Sequence, residues 1–163
     1  MAVIFERRSC MGQYKLVANN KKARHDYFIE DTYEAGLELF GTEVKSIRNG
    51  KASIKEAYAE IKDGEMYVKG MNITPYDHGN RFNQDPIRPR KLLLHKREIN
   101  KLDALRAQDG FTIVPLKLYI NNRGLIKLEI AVAKGKKNYD KRQTMAKKDA
   151  NRKIQQAIKD YNR

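Results

Sequence analysis

The sequence predicts a mainly β fold: a small antiparallel barrel with short added helices, followed by a basic C-terminal tail. Three observations predict it. Apolar residues alternate with polar ones in several short runs. Two turn signatures, Asp63-Gly64 and Asn121-Asn122-Arg123-Gly124, separate pairs of such runs. At Lys134 the composition shifts abruptly to a cationic segment.

Residues 1–19 have no clean period and read as a loose leader, within which Met11 is a candidate alternative start. Tyr27, Ile29, Tyr33, Ala35, Leu37 and Leu39 then recur at odd positions, the alternation of a strand with one buried face, bent or bulged near Asp31. Val44 and Ile47 sit three apart before Asn49-Gly50, which predicts a short helix with its stop signal. The runs Ser53 to Lys62 and Glu65 to Ile73 flank Asp63-Gly64, a pair that supplies the positive φ angles of a tight hairpin. From Thr74 to Lys91 come three of the four prolines and four basic residues, Arg81, Arg88, Arg90 and Lys91, which predict a loop. Ile99, Leu102 and Leu105 mark a helical stripe closed by Asp109-Gly110. In the last hairpin Leu116, Leu118 and Ile120 precede the turn, and Ile126, Leu128, Ile130 and Val132 follow it. Even-numbered residues therefore face the core, while Lys117, Tyr119, Lys127 and Glu129 face outward.

The tail, 134–163, holds eleven basic residues against three acidic, a net of +8 out of the chain's +14. Ala150, Ile154, Ala157, Ile158 and Tyr161 fall on one face of a helix, a stripe too thin to fold alone. The expectation is a tail disordered when free and helical on a partner. About five to seven strands with two short helices in roughly 110 residues, 20–133, fit an OB-like barrel, which buries a core with few residues and leaves a face for nucleic acid.

Composition bounds the function. A chain of 163 residues at +14, with a mean hydropathy of −0.77, calls for a polyanionic partner. Cys10 is the single cysteine, so no disulfide forms within the chain, as suits a reducing compartment. His25, His78 and His95 are scattered without ligand spacing, and neither a metal nor a cofactor is expected. The N-terminal apolar run is too short for a secretory signal, and no stretch approaches a membrane span, so the expected location is cytoplasmic.

Each local motif has an ordinary explanation beside a functional one. Asn20-Lys-Lys-Ala-Arg-His-Asp-Tyr-Phe gathers cations for phosphates and an aromatic for a base, yet alone it is more simply a solvated basic turn before a core tyrosine. His25-Asp26 suggests an acid–base pair, but strand neighbours point to opposite faces and no nucleophile completes a site. Glu34 is either a solvated residue or an acceptor for RNA sugar or base donors. Gly135-Lys-Lys-Asn-Tyr-Asp-Lys-Arg interleaves Tyr139 with a dense cationic run, a pattern suited to exposed bases. No Gly-Lys-Ser/Thr phosphate loop occurs.

In order along the chain, the Asn20 motif, Glu34-Ala-Gly-Leu, Gly41-Thr-Glu-Val-Lys-Ser-Ile-Arg, Ile73-Thr-Pro-Tyr, Arg90-Lys-Leu-Leu-Leu-His-Lys, Val132-Ala-Lys-Gly-Lys-Lys and Tyr139-Asp-Lys-Arg closely resemble the small protein B family, the SsrA-binding proteins of bacterial trans-translation. The resemblance runs from Asn20 to Arg163, and the leader is longer than the family leads one to expect. It implies an OB-type barrel that binds the tRNA-like domain of tmRNA and escorts it to ribosomes stalled without a stop codon. It also implies a tail that enters the empty mRNA channel as a helix beside the small-subunit decoding centre, and an indirect link to elongation factor Tu through aminoacylated tmRNA. By position, Asn20, Lys21, Lys22, Tyr27, Glu34, Leu94 and Lys127 match the RNA-binding motifs, with Leu94 either core or RNA-facing. Gly135, Lys136, Tyr139, Lys141, Arg142, Ile154 and Ile158 match the ribosome-facing tail; Tyr139 stands where many relatives have histidine. A nuclease or RNA-modifying enzyme would need a metal-binding carboxylate cluster, a cofactor loop or a nucleophile–base pair, and none is visible. A basic ribosomal protein fits the composition but not the ordered motifs. A membrane-surface role for the tail is disfavoured by its lack of Trp, Phe and Leu.

Overall fold

The computed structural model describes residues 14–108, 110–136 and 138–161; Met11 lies outside them. Among these residues the order is β1 (Lys15–Asn19), α1 (Lys21–Asp26), β2 (Tyr27–Leu37), α2 (Gly41–Arg48), β3 (Ala52–Ser53), β4 (Tyr58–Lys62), β5 (Glu65–Lys69) and β6 (Asn72–Ile73). A single 3₁₀ turn at Asn80–Phe82 is followed by β7 (Arg90–Leu93), α3 (Lys96–Arg106), β8 (Phe111–Ile120), β9 (Ile126–Gly135) and α4 (Asn138–Tyr161). The fold is mainly β and antiparallel, with short helices, as expected. The main sheet takes β1, β8, β4, β5, β7, β2 and β9 in that order, and β9 pairs again with β8, so the strand pairing returns on itself. β3 and β6 pair separately.

Local chemistry explains the turns. Asp63 and Gly64 both have positive φ, 52° and 73°, which turns β4 into β5 in two residues. At the second hairpin, Asn121 Oδ1 accepts from the N–H groups of Arg123 and Leu125 at 3.0 and 2.9 Å. The register of β2 on β9 shifts between Ile29 and Asp31, at the bulge expected near Asp31.

The main core gathers Ile47, Met66, Val68, Leu92, Leu102, Leu118, Leu128 and Ile130, all essentially inaccessible. Burying such a side chain stabilises the fold by about 1.5–3 kcal/mol. A smaller cluster, Ala23, Val114, Leu116, Ala131 and Ala133, packs α1 against the other side of β8 and β9, with Tyr27 and Ile29 at its margin. The alternation expected for the last hairpin therefore puts Leu118, Leu128, Ile130 and Val132 in the main core, while Leu116 is equally buried but in the smaller cluster. A bulge between Pro115 and Lys117 switches the parity of β8 and brings Ile113 into the main core instead.

Several expectations need correction. The leader is not loose to Asn19: Lys15–Asn19 is β1, paired with Asn19 opposite Lys117 and Lys15 opposite Ile120. The basic turn at Asn20 is helix α1. The runs around Asp63-Gly64 are shorter than read, because Gly70 ends β5 at φ +73° where a Cβ would stand 2.6 Å from Glu56 O. Arg90 and Lys91 belong to β7, not to the preceding loop. Arg90 is wholly buried: its guanidinium donates to Glu43 Oε1 at 2.9 Å, to Met71 O at 2.7 Å and to Pro86 O at 3.0 Å. Glu43 also accepts from Arg88 at 2.6 Å and from the Phe40 N–H at 3.0 Å. Burial alone would raise the Glu43 carboxyl, but the hydrogen bonds from Arg88 and Phe40 and the charge of Arg90 outweigh it and hold it below the ordinary carboxylate range.

Candidate nucleic-acid interface

Six of the seven sequence-predicted RNA residues divide between two clefts, and Lys21 lines neither. The first, of about 380 Å³, lies between α1 and the β4–β8 side, and Asn20, Lys22, Asp26 and Tyr27 are among its lining. Asn20 is buried and caps α1: its Oδ1 accepts from Ala23 N–H at 3.1 Å, while Nδ2 donates to Pro115 O at 3.1 Å and Ile54 O at 3.4 Å. Its side chain is spent on fixing the helix to β8, and the helix it caps carries Lys21 and Lys22 exposed. Lys22 lies 4.0 Å from the exposed carboxylate of Glu56. Tyr27, half-buried, packs on the smaller apolar cluster. His25 and Asp26 sit in a helix rather than on a strand, and contrary to expectation their side chains meet, Nδ1 to Oδ1 at 3.0 Å.

The second cleft, of about 590 Å³, takes Glu34, Leu94 and Lys127 together with Lys91, His95 and Glu98. Leu94 is half-buried against the main core while lining this cleft, so it belongs to both. Glu34 is exposed; it accepts a hydrogen bond from the Tyr119 hydroxyl and lies 3.8 Å from Lys127 Nζ. The register explains the meeting: β2, β9 and β8 are neighbours, with Glu34 opposite Glu129 and Lys127 opposite Tyr119. Lys117 and Glu129 extend the row at 3.4 Å, and Tyr14 stacks obliquely on Tyr119, 5.3 Å between centroids. Partial burial and then the Glu34 carboxylate push the Tyr119 phenol well above its ordinary value, so it stays a neutral donor. Tyr119 was legible only as an outward-facing residue; its cross-strand position beside Lys127 was the usable signal. Along β2, Tyr27 and Glu34 are seven residues apart, roughly 20 Å, so the two clefts are spaced along one strand.

The tail residues divide too. Gly135 pairs with Tyr27 at the end of β9, and Lys136 is held by α1: its N–H donates to Asp26 O at 2.9 Å, its Nζ to Arg24 O at 3.3 Å, and it lies 4.9 Å above the Phe28 ring. Beyond it α4 is helical, with Arg142, Ile154 and Ile158 exposed. The side chains of Tyr139 and Lys141 lie outside the described residues.

Sequence reasoning missed a third cleft, of about 560 Å³, between α2 and the 74–88 loop. Phe40 and Phe82, exposed by 51% and 65%, line it with Tyr76, Lys45 and Arg81. The recurrence of aromatic and basic residues through Phe40-Gly-Thr-Glu-Val-Lys45 and Tyr76 to Arg88 was its trace. Among the described residues no cluster has the makings of a metal site, and no helix is long and apolar enough to cross a membrane.

A small antiparallel β fold that ranges cations and aromatics along its clefts is a polyanion-binding module in class. The SmpB protein family model matches residues 17–160, and the chain belongs to that family. It is 58% identical over 149 residues to the SsrA-binding protein of Geobacillus thermodenitrificans, covering 91% of this chain and 96% of the relative. It is equally 58% identical to the SsrA-binding protein of Clostridium tetani, over 91% and 95% of the two chains. A solved chain described as "tmRNA-SmpB: a journey to the center of the bacterial ribosome" superposes with a TM-score of 0.62 at 50% identity, covering 74% of this chain and 84% of that one.

Proposed function

We propose that the chain is a cytoplasmic RNA-binding adaptor that holds the tRNA-like domain of tmRNA and delivers it to stalled ribosomes, acting by positioning and not as an enzyme. The observation that carries this reading is the juxtaposition of Lys127 and Glu34 in one cleft, with Glu34 held by the Tyr119 hydroxyl, on a +14 chain 58% identical to SsrA-binding proteins. Lys21, Lys22 and Lys127 neutralise phosphates. Glu34, an acceptor pre-aimed by Tyr119, reads a sugar or base donor. Tyr27 and Leu94 supply apolar contact surface, and Asn20 sets the position of α1.

In this reading the returning strand pairing is an OB-like barrel spanning 20–133, with β1 added at its margin. The segment beyond β9 and the Lys136 junction is a separate tail that lies as a helix in the mRNA channel with Tyr139, Lys141, Arg142, Ile154 and Ile158 toward ribosomal RNA. Gly135 and Lys136 form the junction beside the decoding centre. Elongation factor Tu joins indirectly, through aminoacylated tmRNA. Sequencing the RNA that copurifies with the chain from its own cells tests the reading. One dominant tRNA-like species is the expected result; a mixture of ribosomal RNA would contradict it.

A further inference from the structure

We propose that Phe40, Tyr76 and Phe82, with Lys45 and Arg81, form a second RNA-contacting surface that stacks unpaired bases of a single strand. The proposal goes beyond the tRNA-like partner: no residue lining this cleft lines either of the other two.

Scattered exposed apolar residues on a surface need no explanation, but converging rings do. Here rings from two separate segments, the start of α2 and the 74–88 loop, open into one cleft. Each ring has a cation beside it: Arg88 lies 4.7 Å from the Phe40 centroid, Arg81 5.1 Å from Phe82 and Lys45 5.4 Å from Tyr76. Arg88 is committed to Glu43, whereas Lys45 and Arg81 line the cleft itself. No carboxylate is among the cleft's lining residues. Alternation of rings and cations without acids is the chemistry that receives bases on aromatic faces and phosphates on cations. An apolar protein partner would not require the cations, and a duplex would leave the rings without a base to stack.

The rings are also held in place, which lowers the cost of ordering them on binding. Asn83 closes the loop on Tyr76 twice, accepting from its N–H at 3.0 Å and donating to its carbonyl at 2.9 Å. A side chain at Gly79 would displace this amide, since a Cβ there would stand 2.4 Å from Asn83 Oδ1. Thr42 Oγ1 donates to Phe82 O at 3.3 Å, and Ser46 donates to Thr74 O, tying the loop to α2.

The chain contains no tryptophan, so Phe82→Trp places one reporter indole in the cleft. Titrating the full-length variant with a short end-labelled oligoadenylate should quench the indole in step with the label's anisotropy, because a base stacks on it. Inorganic polyphosphate, a polyanion without bases, should bind and leave the indole unquenched. Phe82→Ala with Phe40→Ala should weaken oligoadenylate binding by roughly 5- to 100-fold, yet leave affinity for the tRNA-like domain unchanged. An indole silent at saturating oligoadenylate, equal quenching by polyphosphate, or unchanged oligoadenylate affinity in the alanine variant would each overturn the proposal. Equal loss of both RNAs would overturn it as a separate surface; loss of tRNA-like binding alone in the Lys22 and Lys127 variants bears on the primary function instead.

Discussion

Arg90 is completely inaccessible to solvent, and its Nε donates to the Glu43 carboxylate at 2.9 Å. The pair joins β7 to α2 and fixes the base of the loop that carries Tyr76 and Phe82. Replacing Glu43 by Gln leaves the Arg90 charge buried without its counter-ion. Loss of one partner of such a pair destabilises by about 3–5 kcal/mol. Urea unfolding of Glu43→Gln against the parent chain measures it; a change below about 1 kcal/mol would show that Met71 O and Pro86 O satisfy Arg90 unaided.

The same carboxylate makes stability depend on pH. Because its pKa is lower in the fold than in the unfolded chain, its contribution is fully present above the ordinary value of 4.5 and is lost as pH falls through the folded value. Between about pH 6 and about pH 3 the parent chain should lose more stability than Glu43→Gln does. Parallel losses in the two chains would assign the acid sensitivity to other carboxylates.

Glu34 should behave differently. It is exposed, and its contacts are the Tyr119 hydroxyl and Lys127, so Glu34→Ala should cost less than about 1 kcal/mol of stability. Affinity for the tRNA-like domain should nevertheless fall. Thermal melting and gel shift on the same preparation separate the two; a melting temperature that falls in proportion to affinity would make Glu34 structural.

Local signals made much of this molecule legible, and the limits are physical. Asp63-Gly64, the alternation of Ile126 to Val132 and the Ile99–Leu102 stripe encode their elements within a few residues. β1 depends on pairing with β8, about a hundred residues away, and the sequence from Lys15 to Asn19 carries no period that announces it. Leu116 is buried as the alternation predicts, but a bulge shifts parity without a glycine to mark it, so the sequence does not show that it joins the smaller cluster. Asn20 reads as a polar RNA ligand by motif, but its cap to Ala23 and its bonds to Pro115 and Ile54 exist only once the helix and sheet meet. Glu34, Leu94 and Lys127, far apart in sequence, do converge on one cleft.

The tail should separate from the β domain in function. Met145–Tyr161 is exposed along its helical length and contributes nothing to either core cluster. Deleting Met145 to Arg163 should leave melting and affinity for the tRNA-like domain nearly intact while abolishing peptide tagging in a reconstituted translation system lacking a stop codon. Ile154→Asp with Ile158→Asp should do the same. Normal tagging by the truncated chain would make the tail dispensable; lost affinity would make it part of the primary RNA site.

If the α1 cleft and the Glu34 cleft engage one RNA together, as proposed, lysines of both should neutralise its phosphates. The direct test is the salt dependence of binding to the tRNA-like domain for the parent chain, Lys22→Ala, Lys127→Ala and the double variant. Each lysine that neutralises a phosphate contributes about 1 to the slope of log affinity against log salt. Each single substitution should therefore lower the slope by about 1 and the double by about 2, with unchanged melting. A double variant whose slope and affinity match the parent chain's would contradict the account.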